Sequence, residues 1–386
     1  DKKRSPSPPF STSTLQQEAS RKLNMTPRRT MAIAQQLYEG IELGRHGSTG
    51  LITYMRTDST RISELAQDEA KSFLLEAFGE AYVPAKPNVY VTGKKAQDAH
   101  EAIRPTSLVH TPESLEKYLN KDQLKLYTLI WQRFAASKMT PAIYDTMAIA
   151  IKAGSRYGLR ANGSRLKFAG FTKVYAGADT TKKEKDVLLP ELAEGDELNI
   201  AKTLPQQHFT EPPPRYNDAS LVKTLEEKEI GRPSTYAPII ETIQARGYVQ
   251  RIDKHFQPTE LGFVVVDMLK EYFKDIVDVK FTANLENELD EIAEGKVHKN
   301  QLLREFYGPF EQTLEKADEA SAAQVGGFRR ERHRHVDNAF RIDGIGDVLR
   351  AERSVAVCLH HGVAAGVLVV ASDGEHVEDG LICGDA

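Results

Sequence analysis

Apolar residues recur along this chain with two different periods, and the change of period divides it into parts. Through residues 10–141 the spacing is mainly helical. Thr14 is placed to cap a helix running to about Leu23, and Thr26 followed by Pro27 opens a second helix that ends at Gly40. Gly44, Gly47 and Gly50 then loosen the chain ahead of residues 51–57, an apolar and β-branched run suited to a strand. Ser63 can cap a helix from Glu64 to about Phe78, Pro84 and Pro87 break the pattern, and a helical stretch from Ser114 to about Met139 carries Trp131 and Phe134 at core-like spacing.

The period shortens after Pro141. Residues 144–152, 157–161, 166–174 and 197–203 are β-rich runs separated by Gly and polar turns, which predicts a β arch or hinge over 142–207. Three prolines, Pro212 to Pro214, mark the next boundary, and helical patterning returns through 208–320. There a capped helix from Asp218, a turn through Glu229 to Pro233, a helix capped by Ser234 and stopped by Gly247, and a β wing over 248–256 follow one another. Helix, turn, helix and wing often bind nucleic acid, and short helix pairs also occur in ordinary cores. The fold class is therefore multi-domain, mainly α with a β arch. Residues 1–9, with three prolines, read as an extended linker, and 321–386 as an unassigned tail expected to pack poorly.

Composition sharpens this picture in three places. A chain of 386 residues that is 40% hydrophobic and 27% charged can bury several cores, which excludes collagen-like and wholly disordered classes. The net charge of −4 hides opposed regions: residues 1–61 hold ten Lys and Arg against five Asp and Glu, whereas 260–320 hold seven against fifteen. The front of the chain can thus meet an anion. Only Cys358 and Cys383 occur, so neither a disulfide framework nor a four-thiolate zinc site can form, and a reducing, cytoplasmic setting is expected. No apolar run is long enough to span a bilayer.

Candidate chemistry concentrates in two segments. If residues 50–60 are extended, Tyr54, Arg56 and Asp58 share one face. A phenol can attack a phosphodiester when fixed donors meet the charge that develops on the phosphate, and a guanidinium two residues away is such a donor. The product is a phosphotyrosine ester. Tyr and Arg also alternate on many solvent-facing strands, so the triplet does not decide by itself. The second segment, Gln97-Asp98-Ala99-His100-Glu101-Ala102-Ile103-Arg104-Pro105-Thr106, nearly mimics the His-Glu-x-x-His of zinc hydrolases. Arg104 is no metal ligand, and Pro105 would stop the helix that motif needs. A zinc hydrolase is excluded, and His100 and Arg104 are left as possible phosphate partners, or as ordinary surface residues.

Four segments together closely resemble the bacterial type IA DNA topoisomerases, in the family's order: Phe10-Ser-Thr-Ser-Thr14-Leu-Gln-Gln-Glu18, Gly50-Leu-Ile-Thr-Tyr54-Met-Arg56-Thr-Asp58-Ser, His100-Glu101-Ala-Ile-Arg104-Pro-Thr106 and Gly231-Arg232-Pro-Ser-Thr235-Tyr. The resemblance runs over about residues 10–320 and implies a helical catalytic domain, a β hinge and a winged-helix-like domain. It implies that Tyr54 takes the 5′-phosphate of a cut single strand, that Arg56 steadies the phosphate, that His100 assists and that Asp58 orients the cluster. Arg104, Arg232, Ser234 and Thr235 would hold the DNA backbone. It further implies ATP-independent cleavage and rejoining of one strand, relaxing negative supercoils in a cytoplasmic, nucleoid-associated enzyme. Mg2+ would be held by an N-terminal Toprim domain that is expected to precede Asp1, with no metal ligands in this chain. On that expectation the chain alone would bind single-stranded DNA and cleave it poorly. Two other readings remain: a DNA-binding module that keeps the fold without catalysis, and a tyrosine recombinase or type IB enzyme, whose tyrosine takes the 3′-phosphate instead.

Overall fold

The computed structural model describes residues 1–44, 47–90, 100–175 and 189–331, with side chains through 319. Gln97 to Ala99, the basic, His-bearing stretch beyond residue 331, Cys358 and Cys383 lie outside the described residues. The chain forms two compact units, Asp1–Pro214 and Arg215 onward. Each is described by itself.

In the first unit, α1 (Thr12–Leu23), α2 (Pro27–Glu39), α3 (Glu64–Phe78), α4 (Pro112–Leu115) and α5 (Lys121–Ser137) surround one continuous core. Local chemistry sets their ends. The Thr26–Pro27 start and the Ser63 cap fall where the sequence puts them. The first helix instead starts at Ser11, because Thr14, three residues on, accepts from the Ser11 N–H at 2.8 Å and so becomes the inner half of a capping box. The expected single helix from Ser114 to Met139 is two, because Asn120 accepts from the backbone N–H groups of Asp122 and Gln123 and restarts the helix there. Phe10, Leu37, Leu51, Leu74, Ile103, Tyr127 and Trp131 fill the core, with the Tyr127 hydroxyl and the Trp131 N–H donating to the carbonyls of His110 and Leu108.

A three-stranded antiparallel sheet of β1 (Lys2–Arg4), β4 (Ala142–Ala153) and β5 (Tyr157–Phe168) adjoins this core, and the short pair β2 (Ile41–Glu42) and β3 (Ser48–Thr49) links α2 to the segment that follows. Three expectations are corrected here. Residues 1–9 are no free linker: Lys2 to Arg4 pair with β4, Pro6 and Pro9 are buried, and the Pro8 carbonyl accepts from Arg133 at 2.6 Å. The runs 157–161 and 166–174 are not separate strands, since β5 runs unbroken to Phe168 and a 3-10 turn over Gly170–Lys173 follows. Gly170 sits there at φ +49°, where a Cβ would lie 2.4 Å from the Pro141 carbonyl oxygen. Residues 197–203, expected as a strand, are exposed and irregular, with Leu198 and Ile200 in solvent.

The second unit opens with α6 (Asp218–Glu227), α7 (Tyr236–Ala245) and the hairpin β6 (Val249–Ile252) and β7 (His255–Pro258), around Val222, Tyr236, Ile240 and Phe256. This is the helix, turn, helix and wing read from the sequence. Then α8 (Glu260–Tyr272), α9 (Val279–Ala293) and α10 (Lys299–Glu331) pack through Leu269, Phe273 and Phe310 and through Leu285 and Leu302. Among the described residues no helix is long and apolar enough to cross a membrane.

Candidate active site

Residues 51–57 do not form a strand within a sheet. They run irregularly through the core of the first unit, with a single bridge from Ile52 to Pro105. The alternation predicted for a strand survives, because burial imposes it: Met55, Thr57 and Ser59 are buried while Arg56 and Asp58 are exposed and Tyr54 is half-buried. Two neighbours hold the segment on either side. From α1, the wholly buried Thr12 donates its hydroxyl to the carbonyls of Met55 (2.7 Å) and Thr57 (3.0 Å), and it accepts from the Thr57 N–H at 2.8 Å. From the other side, the Thr53 N–H donates to the Arg104 carbonyl at 2.9 Å, and the Thr106 N–H donates to the Leu51 carbonyl at 3.0 Å. The Thr53 hydroxyl donates to the Ala102 carbonyl at 2.7 Å. Segments distant in sequence are thus locked backbone to backbone, which leaves little freedom for the side chains between them.

The lock brings His100 to Tyr54, with ring centroids 5.2 Å apart and planes 33° from parallel. Tyr38, on the last turn of α2, meets the same Tyr54 ring edge-on, at 5.4 Å and 70°. The Tyr54 ring therefore has both an imidazole and a second phenol as neighbours. Gly50 makes this approach possible: a Cβ there would lie 2.8 Å from the Tyr38 carbonyl oxygen, and the Leu51 N–H donates to the Leu37 carbonyl at 2.7 Å. Arg56 is exposed, and among the described residues its guanidinium has no hydrogen bond or ion pair. Asp58 is exposed on the same side of the segment.

Arg104 takes a different place from the one the sequence suggested. Its Nε and Nη2 reach Glu101 Oε2, each at 2.8 Å, and its Nη1 donates to the Pro105 carbonyl. Burial raises the pKa of Glu101, but the Arg104 guanidinium and the bonds from Ser63 outweigh it and hold the carboxyl below its usual range. Arg104 therefore spends its donors on fixing the loop that presents His100.

In the second unit Arg232 is similarly engaged, with Nη2 2.7 Å from Asp290 Oδ2 and Nη1 3.7 Å from the buried Glu286. Thr235 turns its hydroxyl back onto the Arg232 backbone, accepting from the N–H at 2.8 Å. Ser234 is exposed and does not cap α7, which begins after Thr235 without a side-chain cap; the Thr235 hydroxyl is taken up by the Arg232 backbone in the tight turn at Gly231 (φ +77°). The two units thus carry two separate sets of the expected residues: Tyr54, Arg56, Asp58, His100 and Arg104 in one, Arg232, Ser234 and Thr235 in the other.

Nothing in the sequence marks Thr12 or Tyr38 as a site residue. Thr12 lies inside the first motif but its role depends on a partner loop far along the chain, and Tyr38 looks in sequence like any aromatic at a helix end. Among the described residues no group of three or more His, Cys, Asp or Glu comes together, and Glu101, adjacent to His100, is tied to Arg104 and Ser63.

A family model for DNA topoisomerase matches residues 1–304. The chain is also similar to full-length topoisomerase I from Thermotoga maritima, at 42% sequence identity and a TM-score of 0.71, over 81% of this chain and 50% of that one. It therefore spans half the length of that relative. With this match over most of its length, the chain belongs to the bacterial type IA DNA topoisomerases.

Proposed function

We propose that this chain carries the nucleophile of a type IA topoisomerase and takes part in ATP-independent cleavage and rejoining of one DNA strand. The observation that carries this reading is the half-buried Tyr54 ring packed against the His100 ring, with Arg56 exposed on the neighbouring stretch of chain. In the reaction the Tyr54 hydroxyl oxygen attacks a backbone phosphorus, an oxygen–phosphorus bond forms, and the bond from phosphorus to the 3′-oxygen breaks. The phenolic proton leaves as the attack proceeds, and the departing 3′-oxygen gains one. His100 lies where it can take part in that proton traffic, and the Arg56 guanidinium meets the charge growing on the phosphate. Reversal restores the strand, since the ester keeps the energy of the broken bond.

The turn at Gly231 and the wing of the second unit would hold the strand's backbone, with the exposed Ser234 as its first polar contact. Arg104 and Arg232 act mainly by shaping their sites, since each guanidinium is paired with a carboxylate. Magnesium, which the family resemblance implies, would be held outside the residues described here, and no step above runs through it. Relaxation of negative supercoils belongs to the intact protein, and this chain alone is expected to bind single-stranded DNA and to cleave it inefficiently.

The test is incubation of the chain with end-labelled single-stranded DNA and magnesium, followed by denaturing electrophoresis. A faint covalent adduct carried on the 5′-phosphate, absent in Tyr54→Phe, supports the reading. An adduct that survives Tyr54→Phe, or one on a 3′-phosphate, overturns it. Binding with no adduct under any condition favours the second reading, a DNA-binding module without catalysis.

A further inference from the structure

The three-stranded sheet has two unlike faces. Cross-strand partners share a face, so one side carries Ile149 with Ala161 and Ile151 with Leu159, and further along it the ion pair of Asp145 and Arg165. On the other side lies a groove of about 700 Å3 whose lining includes Lys2, Arg4, Thr146, Arg160, Asn162 and Ser164. None of the described residues lining it is acidic. The acids of the same sheet are engaged elsewhere: Asp145 pairs with Arg165 and Lys167, and Asp1 pairs with Lys167. Lys2 and Arg160 are exposed, and among the described residues no carboxylate pairs with Lys2, Arg4 or Arg160. Hydroxyls and an amide fill the space between these cations, with Thr146 opposite Ser164 and Asn162 next along β5.

We propose that this groove binds the phosphodiester backbone of a single DNA strand, through residues that take no part in the Tyr54 cluster. The proposal rests on the reading that DNA is the substrate. The choice of ligand follows from charge and length. Uncompensated cations interleaved with neutral hydrogen-bonding groups suit phosphates, whereas an acidic peptide or an apolar strand would leave either its own side chains or the groove's cations poorly matched. The register runs from Tyr144, opposite Lys2, to Ala150, opposite Arg160, and spans about 20 Å at the usual rise of a strand. That length exceeds what one phosphate needs and fits a tracked backbone. The contact is independent of base sequence and sensitive to salt.

The experiment uses the full chain carrying Tyr54→Phe, so that no covalent chemistry enters the reading. Fluorescence anisotropy of a labelled single-stranded oligonucleotide is followed across a salt series for this parent, for Lys2→Gln/Arg4→Gln/Arg160→Gln and for a control of equal charge change, Lys71→Gln/Lys86→Gln/Lys125→Gln, all exposed lysines of the same unit. The groove variant is expected to bind at least about tenfold more weakly at low salt, with a salt slope shallower by about 2, as loss of three phosphate contacts to a single strand requires. The control should keep the parent's slope. A photo-crosslinking residue at Ser164 should join to the oligonucleotide. Equal losses in the two triple variants, an unchanged slope in the groove variant, or crosslinks to protein alone overturn the proposal. The groove can fail while the Tyr54-dependent adduct persists, which sinks this site and leaves the catalytic reading standing. A parent that binds no DNA at any salt removes both.

Discussion

The rings of Tyr54 and His100 pack at a tilt, 5.2 Å apart, because the Thr53 side chain and backbone bind the 102–104 segment, not because the two residues are near in sequence. His100→Ala removes both the packing partner and the nearby proton carrier. It should slow adduct formation about 100-fold, within the usual range for a lost acid–base group, while oligonucleotide affinity changes by less than about threefold. Single-turnover cleavage beside anisotropy measures the two separately, and equal losses in both would make His100 a binding residue.

Tyr38 packs edge-on against the Tyr54 ring and is expected to act as a positioning residue. Tyr38→Phe keeps the ring and should leave cleavage within about twofold. Tyr38→Ala should lower cleavage about tenfold without weakening DNA binding, as the loss of an aromatic pair worth about 1 kcal/mol frees the nucleophile to turn. A 3-fluorotyrosine label at Tyr54, read by fluorine NMR, should show a broader or shifted line in Tyr38→Ala alone.

Gly50 is expected to be intolerant of even one methyl group. Gly50→Ala drives a Cβ to within 2.8 Å of the Tyr38 carbonyl oxygen, a backbone atom that cannot swing away. The cost is about 1–3 kcal/mol, typical of overpacking, with cleavage falling more than stability does because the strained contact adjoins Tyr54. Urea denaturation and the cleavage assay together decide whether the strain is relieved at the site or elsewhere.

Lys138 follows α5 and is 8% exposed, and burial lowers its pKa to about 8. Between about pH 8 and the unfolded value near 10.5 the unfolded chain binds more protons than the folded one, so this group makes stability rise with pH across that window. Below pH 8 the folded state carries an unfavourable buried charge. Lys138→Met should therefore stabilise the first unit at pH 7 by roughly 1–3 kcal/mol and lose that advantage above about pH 10. Thermal melts at both pH values check it.

Arg232 faces Asp290 and the buried Glu286, whose pKa burial raises and the Arg232 charge opposes. Arg232→Ala leaves Glu286 without its cation and should destabilise the second unit by about 2–3 kcal/mol, somewhat less than for a fully buried pair. Loss of DNA binding with full stability would instead return Arg232 to direct contact with the backbone.

The sequence by itself determined the helices with strong local starts, the Thr26–Pro27 and Ser63 caps and the winged pair in the second unit, because capping and turn chemistry act within a few residues. It also determined the family, because the motifs that carry Tyr54, His100 and Arg232 are short contiguous runs, legible without any knowledge of what packs around them. Only the tertiary structure decided that residues 51–57 run irregularly and alternate in burial without a sheet, that Thr12 clamps them, and that Tyr38 and His100 pack against the nucleophile. It likewise decided that Arg104 and Arg232 are held by carboxylates and that Lys2 and Arg160 share a groove. These relations join residues tens of positions apart, and hydrogen bonding and packing across such separations leave no periodic trace along a chain.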